Sequence, residues 1–136
     1  MTIHPSFIFG RNYLQRSAAE LSGTNGMLWG SLLSPAPIVP PHGVHVLDVA
    51  DAHVRSLNPS IPTGSKFFIS APQFDWGEVA TFVKEKYPKA PIKVEAVPQN
   101  QWLIDTSRAE KQLGFTPFRS WQQFVGDVVE QQLEFL

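Results

Sequence analysis

The sequence predicts an α/β fold, because short apolar runs alternate along the chain with segments of helical periodicity. Two of these runs, Phe7-Ile8-Phe9 and Phe67-Phe68-Ile69, consist of large apolar residues and are typical of strands buried on both faces. Prolines and glycines separate the segments and mark turns. The predicted order is β-α-β-α-β-α-β-α-α within one domain, residues 1–136.

Each predicted element has its own local signal. Strands are expected at residues 3–9, 44–47, 66–71 and 92–97, where apolar runs or apolar–polar alternation occur. Helices are expected at residues 27–33, 48–57, 75–87, 105–114 and 120–133. Their start signals are the capping residues Asn25, Asp48, Asp75, Asp105 and Ser120, and Gly114 is the stop signal of the fourth helix.

Composition argues against several classes of function. The 136 residues carry a net charge of −1 and their lysines and arginines are scattered, which argues against nucleic-acid binding. The absence of cysteine excludes disulfides, thiolate nucleophiles and zinc–thiolate sites. No apolar run reaches the roughly 18 residues of a transmembrane helix, and residues 1–10 lack the pattern of a signal peptide. We therefore expect a cytoplasmic protein with no membrane or nucleic-acid partner.

Several segments resemble, in the same order, parts of the extended short-chain dehydrogenases/reductases. The matching segments are His4-Pro5-Ser6-Phe7-Ile8-Phe9-Gly10, Val44-His45-Val46-Leu47-Asp48-Val49-Ala50, Lys66-Phe67-Phe68-Ile69-Ser70 and Leu113-Gly114-Phe115. The first resembles the strand that follows the catalytic helix of that family, and the third resembles its last sheet strand. The resemblance is strongest to reductases of the dihydroflavonol and cinnamoyl-CoA type, fungal ketoreductases included.

This resemblance implies an incomplete Rossmann-type fold that retains outer sheet strands and the small C-terminal substrate-binding lobe. Two family motifs are missing. The glycine-rich dinucleotide turn has no counterpart, since the Gly23–Gly26 spacing differs and no strand precedes it. The Tyr-x-x-x-Lys pair is also absent, because Ser17 and Pro91 lie four residues after Tyr13 and Tyr87.

The implied protein is a truncated NAD(P)-dependent reductase or epimerase relative that acts on a small-molecule substrate, in secondary metabolism. We expect it to bind no dinucleotide and to transfer no hydride alone, and to use NADP or NAD only when an N-terminal Rossmann half completes it. The exposed edge and faces of the apolar strands would then have to be covered by another protein surface. We expect a homodimer, a second chain over the exposed strand edge, or a rearranged small sheet.

The resemblance also implies candidate binding residues. Pro5 and Ser6 correspond to a stretch that lies beside the nicotinamide in the family, although a strand start retained for packing explains them as well. Arg11, Asn12 and Tyr13 follow a strand end, where α/β folds bind ligands, and are candidate substrate contacts. A fourth candidate substrate contact is a tryptophan before the proline-rich loop, Trp29.

A different reading rests on ionisable residues. The densest group contains three histidines and two aspartates, His42, His45, Asp48, Asp51 and His53. We predict no metal site there, because Asp48 is explained as a helix cap and strand alternation separates the other side chains. The alternative function is a cofactor-independent isomerase, dehydratase or cyclase with His4, His45 and Asp48 as acid–base residues. A non-catalytic remnant or scaffold is the third hypothesis.

Overall fold

Four short strands form two parallel pairs, and helices surround them. The computed structural model describes residues 1–115 and 117–136. The strands are β1 (Thr2–Pro5), β2 (Ile8–Phe9), β3 (Val44–His45) and β4 (Lys66–Ile69). The helices are α1 (Gly23–Leu32), α2 (Val46–Arg55), α3 (Trp76–Lys86), α4 (Ser107–Leu113) and α5 (Trp121–Leu133), with a 3₁₀ turn at Ala18–Glu20. This arrangement confirms the predicted α/β class.

Backbone hydrogen bonds hold the strands of each pair together and also connect one pair to the other. Strand β1 pairs with β4, and β2 pairs with β3. The amide of Val44 donates to the carbonyl of Phe7 at 2.9 Å, and the amide of Ala71 donates to the carbonyl of Gly43 at 2.8 Å. The chain after β4 is therefore held against the start of β3, and the two pairs have a fixed relative position.

The predicted strand over residues 3–9 is two strands, broken at Ser6 and Phe7. The expectation that both apolar runs are buried on two faces is also wrong, since Phe7 and Ile8 of the first run are only partly buried and the second run has an exposed face. Phe67 and Ile69 are buried, whereas Phe68 between them is 53% exposed. Side chains alternate across a strand, and in the described part of the chain only one face of the β1–β4 pair is covered.

The predicted strand over residues 44–47 ends at His45, because the His45 side chain accepts a hydrogen bond from the Leu47 amide at 3.1 Å and caps α2. His45, and not Asp48, is therefore the N-cap. Helix α1 begins earlier than predicted. Ser22 occupies its N-cap position without a side-chain capping hydrogen bond, and Asn25 lies in its first turn.

The predicted strand over residues 92–97 is irregular. The amides of Lys93 and Val94 both donate to the carbonyl of Leu32, at 2.8 and 3.1 Å. They satisfy the C-terminal end of α1, where a carbonyl lacks a partner within the helix, and so they do not extend a sheet.

Three local signals of the sequence are confirmed. The Asp75 carboxylate accepts from the amides of Gly77 and Glu78 at 2.7 and 3.1 Å and caps α3. Gly114 has φ of 69° and ends α4 in the left-handed conformation. Ser120 forms a capping box with Gln123 at the start of α5.

The core is built around α5. The ring of Phe124 lies 5.3 Å from that of Phe9 and 6.0 Å from that of Phe74, measured between centroids. Gly43 makes this approach possible, since a Cβ there would lie 2.6 Å from the Phe9 ring and 2.9 Å from Phe124. None of the helices in the two described stretches is long and apolar enough to cross a membrane.

We predict that Gly43→Ala lowers the free energy of unfolding by about 1 to 3 kcal/mol, because the new methyl group overpacks the contact between Phe9 and Phe124. The matched control is Gly26→Ala in α1, where the nearest atom to a new Cβ is 3.8 Å away. The control should raise stability by about 0.5 to 1 kcal/mol. Denaturant titration measures both, and equal effects of the two variants would contradict the prediction.

Candidate functional site

An apolar cleft of about 520 Å³ opens at the carboxyl end of β1. It lies where the chain passes from β1 of one strand pair to β2 of the other through Ser6 and Phe7. Ligands of α/β folds bind at the carboxyl ends of parallel strands. The lining residues are all uncharged when the histidine is neutral: Pro5, Ser6, Phe7, Ile8, Thr24, Pro40, His42, Trp102 and Ile104.

The two hydroxyl groups of this cleft are already engaged. Ser6 Oγ donates to Ser70 Oγ at 2.9 Å, and Thr24 Oγ1 donates to the carbonyl of Ile8. Their remaining lone pairs can accept a hydrogen bond, but neither hydroxyl has a free proton to offer. The cleft is therefore suited to an uncharged and largely apolar molecule.

His42 is the polar side chain of the cleft that is not satisfied. It is buried, and its Nε2 atom has no hydrogen-bond partner in the described structure. Burial lowers the pKa of the imidazole, so the ring is neutral near pH 7. Sequence reasoning placed His42 only in the ionisable cluster, and a proline-flanked histidine gives no local sign that its ring will be buried.

A second cleft of about 320 Å³ adjoins the first, and His42, Trp102 and Ile104 line both. The centroids of the His42 and Trp102 rings are 5.8 Å apart. The pair thus stands at the boundary between the two clefts, where a ligand that spans them would contact both rings.

The predicted substrate residues after β2 lie outside the apolar cleft. Arg11 pairs with Glu134 of α5 at 2.6 Å. The side-chain amide of Gln131 accepts from the Asn12 amide at 2.9 Å and donates to its carbonyl at 2.7 Å. Tyr13 is 73% exposed. These contacts give Arg11 and Asn12 a structural role, and substrate contact by the three residues stays a prediction.

Trp29 is partly buried and packs against the core. It is not among the residues that line the apolar cleft or the adjoining one. Its proposed place beside the substrate stays a prediction, and its packing is accounted for without a ligand.

The acid–base candidates each have a protein partner and line neither of the two clefts. His4 is exposed, bonds Thr2 Oγ1 at 3.0 Å and lies against the Phe68 ring. His45 is buried, and since its Nδ1 accepts from a backbone amide, its Nε2 carries the proton and donates to Asp127 at 3.0 Å. The catalytic assignment of these residues stays a prediction.

Asp48 is buried and accepts hydrogen bonds from Arg119. One carboxylate oxygen bonds the Arg119 amide at 2.9 Å, and the other bonds its guanidinium group. Asp51 reaches the same guanidinium at 3.1 Å. Asp48 therefore holds the segment before α5 in place. Among the described residues, no three histidine or acidic side chains are positioned to share a metal ion.

The described residues do not fit a whole dinucleotide. A pyrophosphate site of this fold needs a glycine turn between a strand and a helix, whereas Gly23 and Gly26 lie inside α1 after a 3₁₀ turn. The Asn25 side chain binds both backbone groups of Gly10, at 3.3 and 2.6 Å, and is not free for phosphate. Pro5 and Ser6, on the apolar cleft, could line only one ring of such a molecule.

Comparison with known proteins gives relatives along nearly the whole chain, although no family model matches. Ketoreductase sphI of Aspergillus fumigatus is 40% identical over 142 residues, which cover 99% of this chain and 42% of that protein. Ketoreductase azaE of Aspergillus niger is 30% identical, with 98% of this chain and 43% of that protein covered. The chain is therefore homologous to a portion of fungal ketoreductases. It spans less than half the length of these curated relatives.

Solved structures agree on the fold. Gre2 of Candida albicans in complex with NADPH superposes with a TM-score of 0.73 at 23% identity, covering 98% of this chain and 43% of that protein. Vestitone reductase from alfalfa gives a TM-score of 0.67 at 22% identity, covering 96% and 43%. The partial Rossmann-type fold predicted from the sequence is therefore confirmed.

We predict that Asp48→Asn lowers the free energy of unfolding by about 2 to 4 kcal/mol, because it removes the buried charge that faces Arg119. Asp51→Asn is the control. Its carboxylate bonds the same guanidinium but is 42% exposed, so it should cost about 0.5 kcal/mol or less. Thermal and chemical unfolding report both values. If the Asp48→Asn variant is as stable as the parent chain, the structural role of Asp48 is refuted.

Proposed function

We propose that this chain forms the substrate-binding lobe of an NAD(P)-dependent ketoreductase of small-molecule biosynthesis. The observation that carries this proposal is the 40% identity to a ketoreductase over 99% of the chain, with only 42% of that relative covered. The dinucleotide site and the proton donor belong to residues outside this chain, because its sequence holds neither the glycine turn nor Tyr-x-x-x-Lys.

The apolar cleft supports a ketone or a similar carbonyl compound as the substrate. Its lining is uncharged, and Pro5, Phe7 and Ile8 form an apolar wall at the end of β1. Such a wall excludes water around a carbonyl group and binds the apolar body of the substrate. What the chain supplies to the reaction is thus orientation and a dry environment, and hydride transfer comes from the completed protein.

The open face and edge of the β1–β4 pair favour the presence of a partner lobe that covers them. Strand β1 pairs with β4 on one side, and the amides of Thr2 and Ser6 point toward β4. In a strand, the backbone N–H and C=O groups of successive residues point to alternate edges, so those of Ile3 point away from β4. An unpaired edge of this kind accepts a further strand, and the occupant we propose is a strand of the dinucleotide-binding lobe.

We predict that the 136-residue chain alone does not enhance NADPH fluorescence, because it holds no pyrophosphate site. Mixing it with the unmatched portion of Ketoreductase sphI should restore NADPH binding and NADPH-dependent reduction of an aryl ketone. Each portion assayed alone is the control. Tight NADPH binding by the chain alone would refute the proposed division of the site, and a mixture without reduction would refute the proposed activity.

A second prediction concerns the open sheet face. Phe68→Glu should weaken association with the added lobe at least tenfold, because it places a charge where an apolar contact forms. It should change the free energy of unfolding by no more than about 0.5 kcal/mol, since Phe68 is 53% exposed.

The matched control is Val54→Glu on α2, where the native side chain is 69% exposed. This control should leave association unchanged. Calorimetric titration gives the affinities, and light scattering gives the mass of the chain alone. A stable homodimer that Phe68→Glu dissociates would overturn the proposed partner and show that a second copy covers this face.

A further inference from the structure

His42 has the features of a ligand-binding side chain. Buried polar atoms in proteins nearly always have a hydrogen-bond partner, and an exception calls for an explanation. Only 4% of the His42 residue is exposed, and its Nε2 has no hydrogen-bond partner among the described residues. Leaving such an atom unpaired destabilises the folded state, so its position calls for something that offsets this cost.

The other histidines show the contrast. His45 is equally buried, but both ring nitrogens have partners, the Leu47 amide and the Asp127 carboxylate. His53 is exposed and its Nδ1 bonds the carbonyl of Val49 at 2.7 Å. His42 thus differs from both in being buried and unpaired, and it lines two adjoining clefts.

The surroundings of His42 restrict the chemistry of a ligand. Among residues 1–115 and 117–136, no carboxylate, lysine or arginine lines the apolar cleft, so a charged ligand would lose its hydration without compensation. A neutral imidazole carries one N–H group, which can donate a hydrogen bond to an uncharged carbonyl oxygen. The aromatic rings of Phe7 and Trp102 favour a flat ring system in the ligand.

We propose that His42 selects the substrate of the cleft by a hydrogen bond to an oxygen of an uncharged aromatic carbonyl compound. This inference rests on the proposed function and adds the substrate class and the residue that recognises it. His42 acts here as a binding residue and takes no part in proton transfer. Because Nε2 is buried, a neighbouring side chain has to shift before a ligand oxygen can reach it. The Trp102 ring, which is 62% exposed and lies 5.8 Å from the imidazole, is the neighbour to which this inference assigns the shift.

Equilibrium dialysis with two naphthalene probes tests this proposal on the full chain. One probe is the ketone 2-acetonaphthone, and the other is 2-ethylnaphthalene, which has nearly the same shape without the oxygen. The chain should bind the ketone more tightly than the hydrocarbon. His42→Leu should raise the dissociation constant of the ketone by about three- to tenfold and leave that of the hydrocarbon unchanged or lower.

Two further variants guard the interpretation. His42→Gln keeps a hydrogen-bonding side chain and should restore most of the preference for the ketone. His53→Leu removes an exposed imidazole outside the clefts and should change neither affinity. His42→Leu should also have a melting temperature at or above that of the parent chain, because it removes an unpaired buried nitrogen, whereas a structural histidine would give a lower one.

The outcomes separate this inference from the proposed function, because the dialysis needs neither NADPH nor a second lobe. If both probes bind and His42→Leu keeps the preference for the ketone, only the role of His42 is overturned. A lower melting temperature with equal loss of both probes would likewise make His42 a packing residue. If neither probe binds the parent chain, this inference is overturned, whereas the proposed function stands or falls with NADPH-dependent reduction by the mixed lobes.

Discussion

The packing of Phe124 against Phe9 and Phe74 is the contact on which the rest of this structure depends. Strands β2 and β3 have two residues each, and a strand pair of that size is not stable without an apolar cover. Phe124 supplies that cover from α5, and Gly43 leaves the space for it. Because Phe9 ends the segment that begins at Pro5, the same contact fixes one wall of the apolar cleft.

Polar contacts along α5 extend this arrangement. Asp127 holds His45, Gln131 holds Asn12, and Glu134 holds Arg11. The residues that looked functional in sequence because they are ionisable or follow a strand are thus largely engaged by one helix. Their chemistry is used to join segments far apart in the chain, which is a common use of buried polar groups.

The parts of the fold that sequence predicted well are those set by neighbouring residues. The Asp75 and Ser120 caps depend on hydrogen bonds within one turn, and the Gly114 stop depends on the left-handed conformation of one residue; all three are present. Strand limits failed because they depend on distant partners. Apolar and polar residues alternate over 92–97 as in a strand, yet two of their amides donate hydrogen bonds to the carbonyl of Leu32.

The candidate site likewise has features that depend on neighbouring residues and features that depend on distant contacts. The sequence singled out Pro5 and Ser6 through the resemblance of their segment, and both line the cleft, while their contact with a cofactor stays a prediction. His42 could not be placed at the cleft from the sequence, since its burial and its lack of a partner arise only when β1, α1 and the segment around Trp102 come together.

Strand β1 takes part in both proposed interactions of this protein, and this links them. One edge of β1 pairs with β4, the other edge is the proposed position of the partner strand, and Pro5 at its end lines the apolar cleft. A strand added beside β1 would restrict the movement of Pro5 and Ser6, because a paired strand has fewer accessible conformations than an edge strand. Association with the second lobe would therefore order one wall of the cleft before the substrate binds. By thermodynamic reciprocity, a ligand that favours the ordered wall would strengthen the association.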